Sequence, residues 1–327
     1  MQPSRFVSLF LSVVTLVIHV GCANPPSKVT PTPSASPSTA APARSTPKAV
    51  LVTGASTGIG RKITEKLAAD GYFVYAGARK EADLQALSAI KNVQAVRLDV
   101  TSAADIAAAV ETITKAGRGL YGLVNNAGVA ITGTFADTKE EDLHWVMDVN
   151  VYGPFRVTKA FAPLIIAEQG RITTISSISG ILSGRELGAY SMSKHAIEAF
   201  GDSLEQQMAP AGVKVSLIEP GNYKSEIGKT AAARTGVTSR LTDRSNYKEP
   251  DEVAEAVSLA LFEPNPKHRY MVVPNQQEGE ITIKKAIEEL TQLNERHAYS
   301  YDRDTLVRML DEALAKTQPT TAPASKK

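Results

Sequence analysis

The sequence predicts an α/β protein built on a doubly wound parallel sheet of about seven strands, with helices on both faces and a C-terminal helical extension. Three observations carry that expectation. Apolar strand-like runs alternate with amphipathic helical patterns through most of the chain. A glycine-rich turn, Thr53-Gly54-Ala55-Ser56-Thr57-Gly58-Ile59-Gly60, separates the first apolar run from the first helical pattern. The 327 residues, 43% of them hydrophobic, suffice for one large domain with extensions.

The first strand, near 48–53, holds the unbroken apolar run Ala49-Val50-Leu51-Val52. The helix near 58–70 then places Ile63, Leu67 and Ala68 on one face. Strands near 72–77, 93–98 and 120–125 follow, separated by helical patterns near 81–90 and 102–116. Helices near 138–167, 188–208 and 250–262 precede strands near 171–176, 213–218 and 269–273. Largely apolar strands imply a sheet covered on both faces, with ligands over the carboxyl ends of its strands. Beyond 275, residues 281–293 and 305–314 read as two amphipathic helices that lid the cleft or cover a sheet edge.

Composition removes several function classes. Lys+Arg 36 against Asp+Glu 34 leaves little net charge, and no basic cluster is interleaved with aromatics, so no nucleic-acid partner is expected. The five histidines are scattered and show no metal-ligand spacing, so no metal is expected. Cys22 is the only cysteine, which excludes an intrachain disulfide and a cysteine zinc site.

Tyr190 and Lys194 fall one turn apart on the predicted 188–208 helix, so a phenol and an ammonium group share a face. The ammonium charge favours the phenolate, which suits a group that gives and takes protons. Ser177 precedes the tyrosine by thirteen residues and supplies a hydroxyl to bond a carbonyl or alcohol oxygen. Ser176 competes with it, but strand alternation lets at most one of the two face a cleft. His195 points about 100° away from Lys194 around the helix and reads as structural. The glycine-rich turn between strand and helix start suits a dinucleotide diphosphate: the glycines admit the backbone and the first-turn amides favour negative charge. Its spacing is Gly-x3-Gly-x-Gly.

That turn, with Asn125-Asn126-Ala127-Gly128, Asn150, Ser177, Tyr190, Lys194 and Pro220-Gly221 in this order, resembles the short-chain dehydrogenase/reductase family, in its branch with a Tyr-x-x-x-Lys motif. The resemblance covers residues 48–275 and implies a Rossmann fold with a nicotinamide cofactor. It implies that Thr53, Gly54, Ser56, Gly58, Ile59 and Gly60 hold the diphosphate, and that Asp99 and Val100 meet the adenine. Asn126, Ala127 and Gly128 would line the ribose pocket. Pro220, Gly221 and Ser225 would reach the nicotinamide, although serine stands at 225 where threonine is usual. Tyr190 and Lys194 also bond the nicotinamide ribose in this reading. Ser177 and Tyr190 would polarise a substrate carbonyl, and Asn150 would kink its helix to hold a water leading to Lys194. The second strand ends in Ala78-Arg79, where an acid would select NAD(H), so NADP(H) is favoured and NAD(H) stays possible.

The segments 219–223 and 190–196 resemble the branch acting on hydroxysteroids, retinoids and other bulky alcohols or ketones. The lid expected at 222–247 carries Lys224, Lys229, Arg234, Arg240 and Arg244, which recognise an acidic substrate or form a solvated face. Family members often form homodimers or homotetramers. The alternative to an enzyme is a lipid-tethered nucleotide-binding or scaffold protein without turnover.

Residues 1–21 have Arg5, an apolar run from Phe6 to Val20, and Gly21 before Cys22. This pattern resembles a bacterial lipoprotein signal with Cys22 as the acylated residue, although His19 replaces the usual aliphatic residue. An uncleaved anchor, ordinary cleavage nearby, or a misassigned start on a cytoplasmic enzyme are the alternatives. Residues 22–47 are rich in proline, serine, threonine and alanine and read as a disordered tether. The expected layout is therefore signal, tether, catalytic domain over 48–275, helical extension over 276–316 and disordered tail over 317–327. It implies a lipid-anchored envelope protein, and Ala23 points to the outer membrane.

Overall fold

Alternation along β1 (Ala49–Val52) sends Ala49 and Leu51 to one side of the sheet and Val50 and Val52 to the other. All four are buried, so the strand has a core on each face. These coordinates are a computed structural model that describes residues 47–238 and 242–317. The signal reading, Cys22, the tether to residue 46, Arg240 and the tail from 318 lie outside the described residues. The chain divides into two units, 1–45 and 46–327, and every described residue belongs to the second.

The remaining strands are β2 (Phe73–Ala78), β3 (Val93–Arg97), β4 (Gly122–Asn125), β5 (Arg171–Ile175), β6 (Lys214–Pro220) and β7 (Arg269–Val272). All pair in parallel, in the order β3-β2-β1-β4-β5-β6-β7. The order reverses between β1 and β4, which opens a crevice at their carboxyl ends. Helices α1 (Gly58–Ala69), α2 (Glu81–Ser88) and α8 (Asp251–Phe262) cover one face through Ile63, Leu67, Leu87 and Val257. Helices α3 (Ala103–Ala116), α5 (Gly153–Ala167) and α6 (Gly188–Met208) cover the other through Ile113, Phe161 and Leu204. Ser102 caps α3 by accepting from the Asp105 amide at 3.2 Å, and Gly117 ends it at φ +65°.

Two elements depart from expectation, and the expected C-terminal pair is present. The single helix expected near 138–167 is α4 (Glu140–Met147), a π-helical turn (Asp148–Tyr152) and then α5. Helix α7 (Ile227–Thr235) forms inside the lid, where its small and polar residues give no strong apolar period. The C-terminal pair is α9 (Gln276–Leu293) and α10 (Arg303–Thr317); α9 buries Thr282, whereas α10 buries nothing. Among the described residues no helix is long and apolar enough to cross a membrane.

Under the carboxyl ends, Glu219 of β6 is 3% exposed and faces Glu198 of α6. Arg269 Nε lies 3.0 Å from Glu198 and 3.3 Å from Glu219. Burial, then the Glu198 charge, push the Glu219 carboxyl up to about 7, with Arg269 opposing. The folded state therefore holds a proton that the unfolded chain releases near 4.5. Stability should fall as pH rises from there to about 7, and level off above. Glu219→Gln, which stays neutral, should remove on the order of 1–3 kcal/mol of that fall. Urea melts of both proteins at about pH 5 and about pH 8 check this, and an equal fall in stability between the two pH values would contradict it.

Candidate active site

The crevice is a cleft of about 400 Å³. Gly54, Ser56, Gly58, Ile59, Gly60, Arg79, Asp99, Val100, Asn126, Ala127 and Gly128 line it, as do Ser177, Tyr190, Lys194, Pro220, Gly221 and Ser225. Thr53 and Asn150 stand behind the lining, each buried. His195 is exposed and outside it, with Nδ1 2.9 Å from the Ser191 carbonyl within its own helix.

Behind the glycine-rich turn, β1 and β4 are tied by one hydroxyl. Thr53 Oγ1 accepts from the amides of Asn126 and Ala127, both at 3.0 Å, and donates to Val124 O at 3.3 Å. Asn126 Nδ2 donates back to Thr53 O at 2.9 Å and Gly54 O at 3.0 Å. This packing leaves no room at Gly60, where a Cβ would lie 2.2 Å from Gly54 O. Gly58 sits at φ +55°, and a Cβ there would lie 3.1 Å from Ser225. The first turn of α1 has neither an acidic residue nor a side-chain cap, so its amides face the cleft without a competing anion. Such a cradle fits a dinucleotide diphosphate.

At the other end, Lys194 is 6% exposed and donates through Nζ to Ile175 O at 2.9 Å. That bond holds the ammonium 5.6 Å from the centre of the Tyr190 ring. Ser177 Oγ donates to Pro220 O at 3.3 Å and accepts from the Ser179 amide at 3.1 Å. Ser176 also lines the cleft, against the expectation that only one of the two serines would, and its Oγ lies 3.1 Å from where a Cβ on Gly180 would be. Asn150 occupies the π-turn: its Oδ1 accepts from Val129 N at 2.8 Å, and its Nδ2 donates to Val129 O and Ser193 Oγ, both at 2.9 Å. These bonds explain why the long helix breaks here, since the side chain pairs with a neighbouring segment in the manner of a strand. The side chains of Asn150 and Lys194 converge on Gly128, where an added Cβ would lie 3.5 Å from Asn150 Oδ1 and 3.9 Å from Lys194 Nζ.

Two participants are invisible in the motif spacing. Ser193 is fully buried and donates to Tyr190 O at 2.7 Å, so it joins the tyrosine turn to the Asn150 turn. Glu278 of α9 accepts through Oε2 from the Asn222 amide at 2.8 Å, bracing the loop after Pro220-Gly221. Ile281 of the same helix lines the cleft, so α9 closes part of it.

At the far end of β2, Arg79 lies 3.6 Å from Asp99 and is 62% exposed. Burial raises the Asp99 carboxyl, but the Thr101 amide and hydroxyl with Arg79 outweigh it and hold the group below its usual range. On the lid, Lys224 pairs with Glu249, Lys229 with Glu226 and Arg234 with Asp142.

A family model described as short chain dehydrogenase matches residues 48–235. The chain belongs to the short-chain dehydrogenase family. The mitochondrial D-beta-hydroxybutyrate dehydrogenase of Rattus norvegicus is 37% identical over 186 residues, 54% of this chain and 54% of that protein. The chain thus spans about half the length of that relative. The NADPH-dependent 3-dehydrocapnine reductase of Ornithobacterium rhinotracheale is 36% identical over 251 residues, covering 69% of this chain and 88% of its own. A solved short-chain dehydrogenase from Streptomyces avermitilis superposes with TM-score 0.64 and 27% identity, over 84% of this chain and 100% of that one.

For a short-chain dehydrogenase cradle so tightly packed, the smallest added group should be felt. Gly60→Ala should lower stability by about 1–3 kcal/mol and weaken dinucleotide binding, because the Gly54 carbonyl or the Asn126 amide must move. Thermal melts read the first effect and nucleotide titration the second; an unchanged midpoint with unchanged affinity would contradict it.

Proposed function

We propose that this chain is an NAD(P)-dependent oxidoreductase that interconverts a carbonyl and an alcohol, with Tyr190 as the proton donor and acceptor. The observation that carries this reading is the convergence of Ser177, Tyr190 and buried Lys194 on the cleft that also holds the glycine cradle. The activities for which the two relatives are named, a hydroxy-acid dehydrogenase and an NADPH-dependent reductase, support the reaction class.

The dinucleotide, when bound, supplies or accepts the hydride. The residues of the chain do the rest. Gly54, Ser56, Gly58, Ile59 and Gly60 hold the diphosphate at the α1 amides. Asp99 and Val100 hold the adenine, and Asn126, Ala127 and Gly128 the ribose. Ser225 and the Pro220-Gly221 turn hold the nicotinamide. Ser177 turns its hydroxyl from Pro220 O to the substrate oxygen and, with Tyr190, polarises it. In reduction the Tyr190 O–H gives its proton to that oxygen; in oxidation the phenolate takes it back. Lys194, fixed by Ile175, stabilises the negative charge that develops on the phenol oxygen. The replacement proton travels by Lys194 and the Asn150 turn through water.

Arg79 favours NADP(H), since its exposed guanidinium is free to leave Asp99 for a 2′-phosphate. The N-terminal pattern adds that the catalytic unit is held at a bacterial envelope through a lipid on Cys22.

Turnover is tested with the full chain against a carbonyl panel, by the near-ultraviolet absorbance of the reduced nicotinamide. NADPH should outperform NADH, and Tyr190→Phe should lower the rate at least 100-fold, on the order general acid catalysis contributes. Dinucleotide binding without turnover on any carbonyl would favour a tethered binding protein instead. For the anchor, mass spectrometry of the membrane-extracted protein should find Cys22 as an acylated first residue, and an unmodified Cys22 would sink that part alone.

A further inference from the structure

Four lid cations fall within the described residues, and three of them are neutralised by a carboxylate. Lys224 meets Glu249 at 2.7 Å, Lys229 meets Glu226 at 2.9 Å and Arg234 meets Asp142 at 2.6 Å. Arg244 is different. It has no carboxylate partner among the described residues. Its Nη1 donates to the Tyr223 carbonyl at 3.4 Å, its guanidinium lies 5.5 Å from the centre of the Tyr247 ring, and its Nε is buried without an acceptor. A buried guanidinium N–H left without an acceptor is unfavourable, and a fork with no carboxylate partner is available to an anion in the cleft that it lines. The planar fork matches a phosphate or carboxylate.

Arg244 lines the cleft, and its neighbours say at which end. Tyr223, to which it bonds, lies two residues before Ser225, whose Cβ stands 3.1 Å from where a Cβ on Gly58 would lie. At the start of α7, Gly228 packs against the backbone of Thr242, two residues before Arg244; a Cβ there would lie 2.2 Å from the Thr242 carbonyl. The lid segment at Ser225 therefore lies beside Gly58, where the α1 amides are uncapped and the first turn lacks an acid, and the segment that carries Arg244 packs on Gly228, three residues beyond Ser225.

We propose that Arg244 is a lid clamp for the diphosphate of the dinucleotide, bonding from above the anion that the glycine turn cradles from below. It rests on the cofactor assignment of the proposed function. It adds that the lid binds cofactor rather than selecting an acidic substrate. The same fork would bind a substrate carboxylate, so the test has an arm for each source.

Dinucleotide affinity of the full chain is measured by the fluorescence of bound NADPH and NADH, without turnover. Arg244→Met should weaken both by about tenfold to a hundredfold, the range of a lost charge-assisted bond. Arg244→Lys should recover part of it. Adenosine 2′-monophosphate, which has no diphosphate, should bind the wild type and Arg244→Met alike, and Lys229→Met should bind both dinucleotides normally. Thermal melts accompany each variant, and Arg244→Gln replaces the methionine if that protein melts early. If the wild type binds neither dinucleotide, the cofactor assignment fails and the clamp with it. If the wild type binds and Arg244→Met binds equally well, the clamp alone is overturned. Unchanged dinucleotide affinity with a KM raised only for acidic carbonyl compounds would also overturn it and move Arg244 to the substrate.

Discussion

The Thr53 hydroxyl is the fastening on which the cleft depends. It is the point where the sheet changes direction, and two parallel strands that part there would otherwise leave their last amides without partners. By accepting from Asn126 and Ala127 it lets the chain after β4 turn away while staying close to the glycine loop. The Asn126 carboxamide returns the bond to Thr53 and Gly54, so each side holds the other. The absence of a side chain at Gly60 follows from that closeness. A cradle assembled this way is rigid before any ligand arrives, and a ligand that enters it need not order the backbone first.

The reacting end is organised by a second mutual arrangement, among segments rather than strands. Asn150 pairs with Val129 and reaches Ser193, and Ser193 in turn holds the carbonyl of Tyr190. Lys194 is drawn to the Ile175 carbonyl, one residue before Ser176-Ser177. The end of β5, the tyrosine helix, the π-turn and the loop after β4 are thus joined by short polar bonds, with little room for one to shift alone. Buried polar networks of this kind set position more than they add stability.

Local signals were legible in the sequence and distant partnerships were not. The seven strands stood out as apolar runs between turns, and the glycine turn and the tyrosine–lysine pair are matters of spacing within a few residues. The thirteen-residue spacing to Tyr190 favours Ser177 over Ser176, whereas the strand alternation expected to keep one serine out of the cleft does not hold, since both line it. The break at Asn150 depends on Val129, 21 residues away, so a continuous helical period misled the boundary while the kink itself was foreseen. The lid read as a basic surface because Arg234 finds Asp142 across 92 residues, a pairing that no window contains. Helix α7 lacks an apolar period strong enough to announce itself. The bond from Glu278 to Asn222 spans 56 residues and was equally hidden.

That last bond changes where the working molecule ends. The family match stops at residue 235, and a boundary drawn at 275 would divide a sheet domain from a helical appendage. Yet a Cβ on Gly221 would lie 2.2 Å from the Glu278 carboxylate and 3.0 Å from Pro274, so it would push aside the side chain that braces the loop. The loop beyond β6 and the first turns of α9 have therefore been shaped to each other, and only α10 is free of that commitment. Fusion partners and truncations belong after α9; shortening the chain to the sheet would leave a loop with the right residues and no wall to lean on.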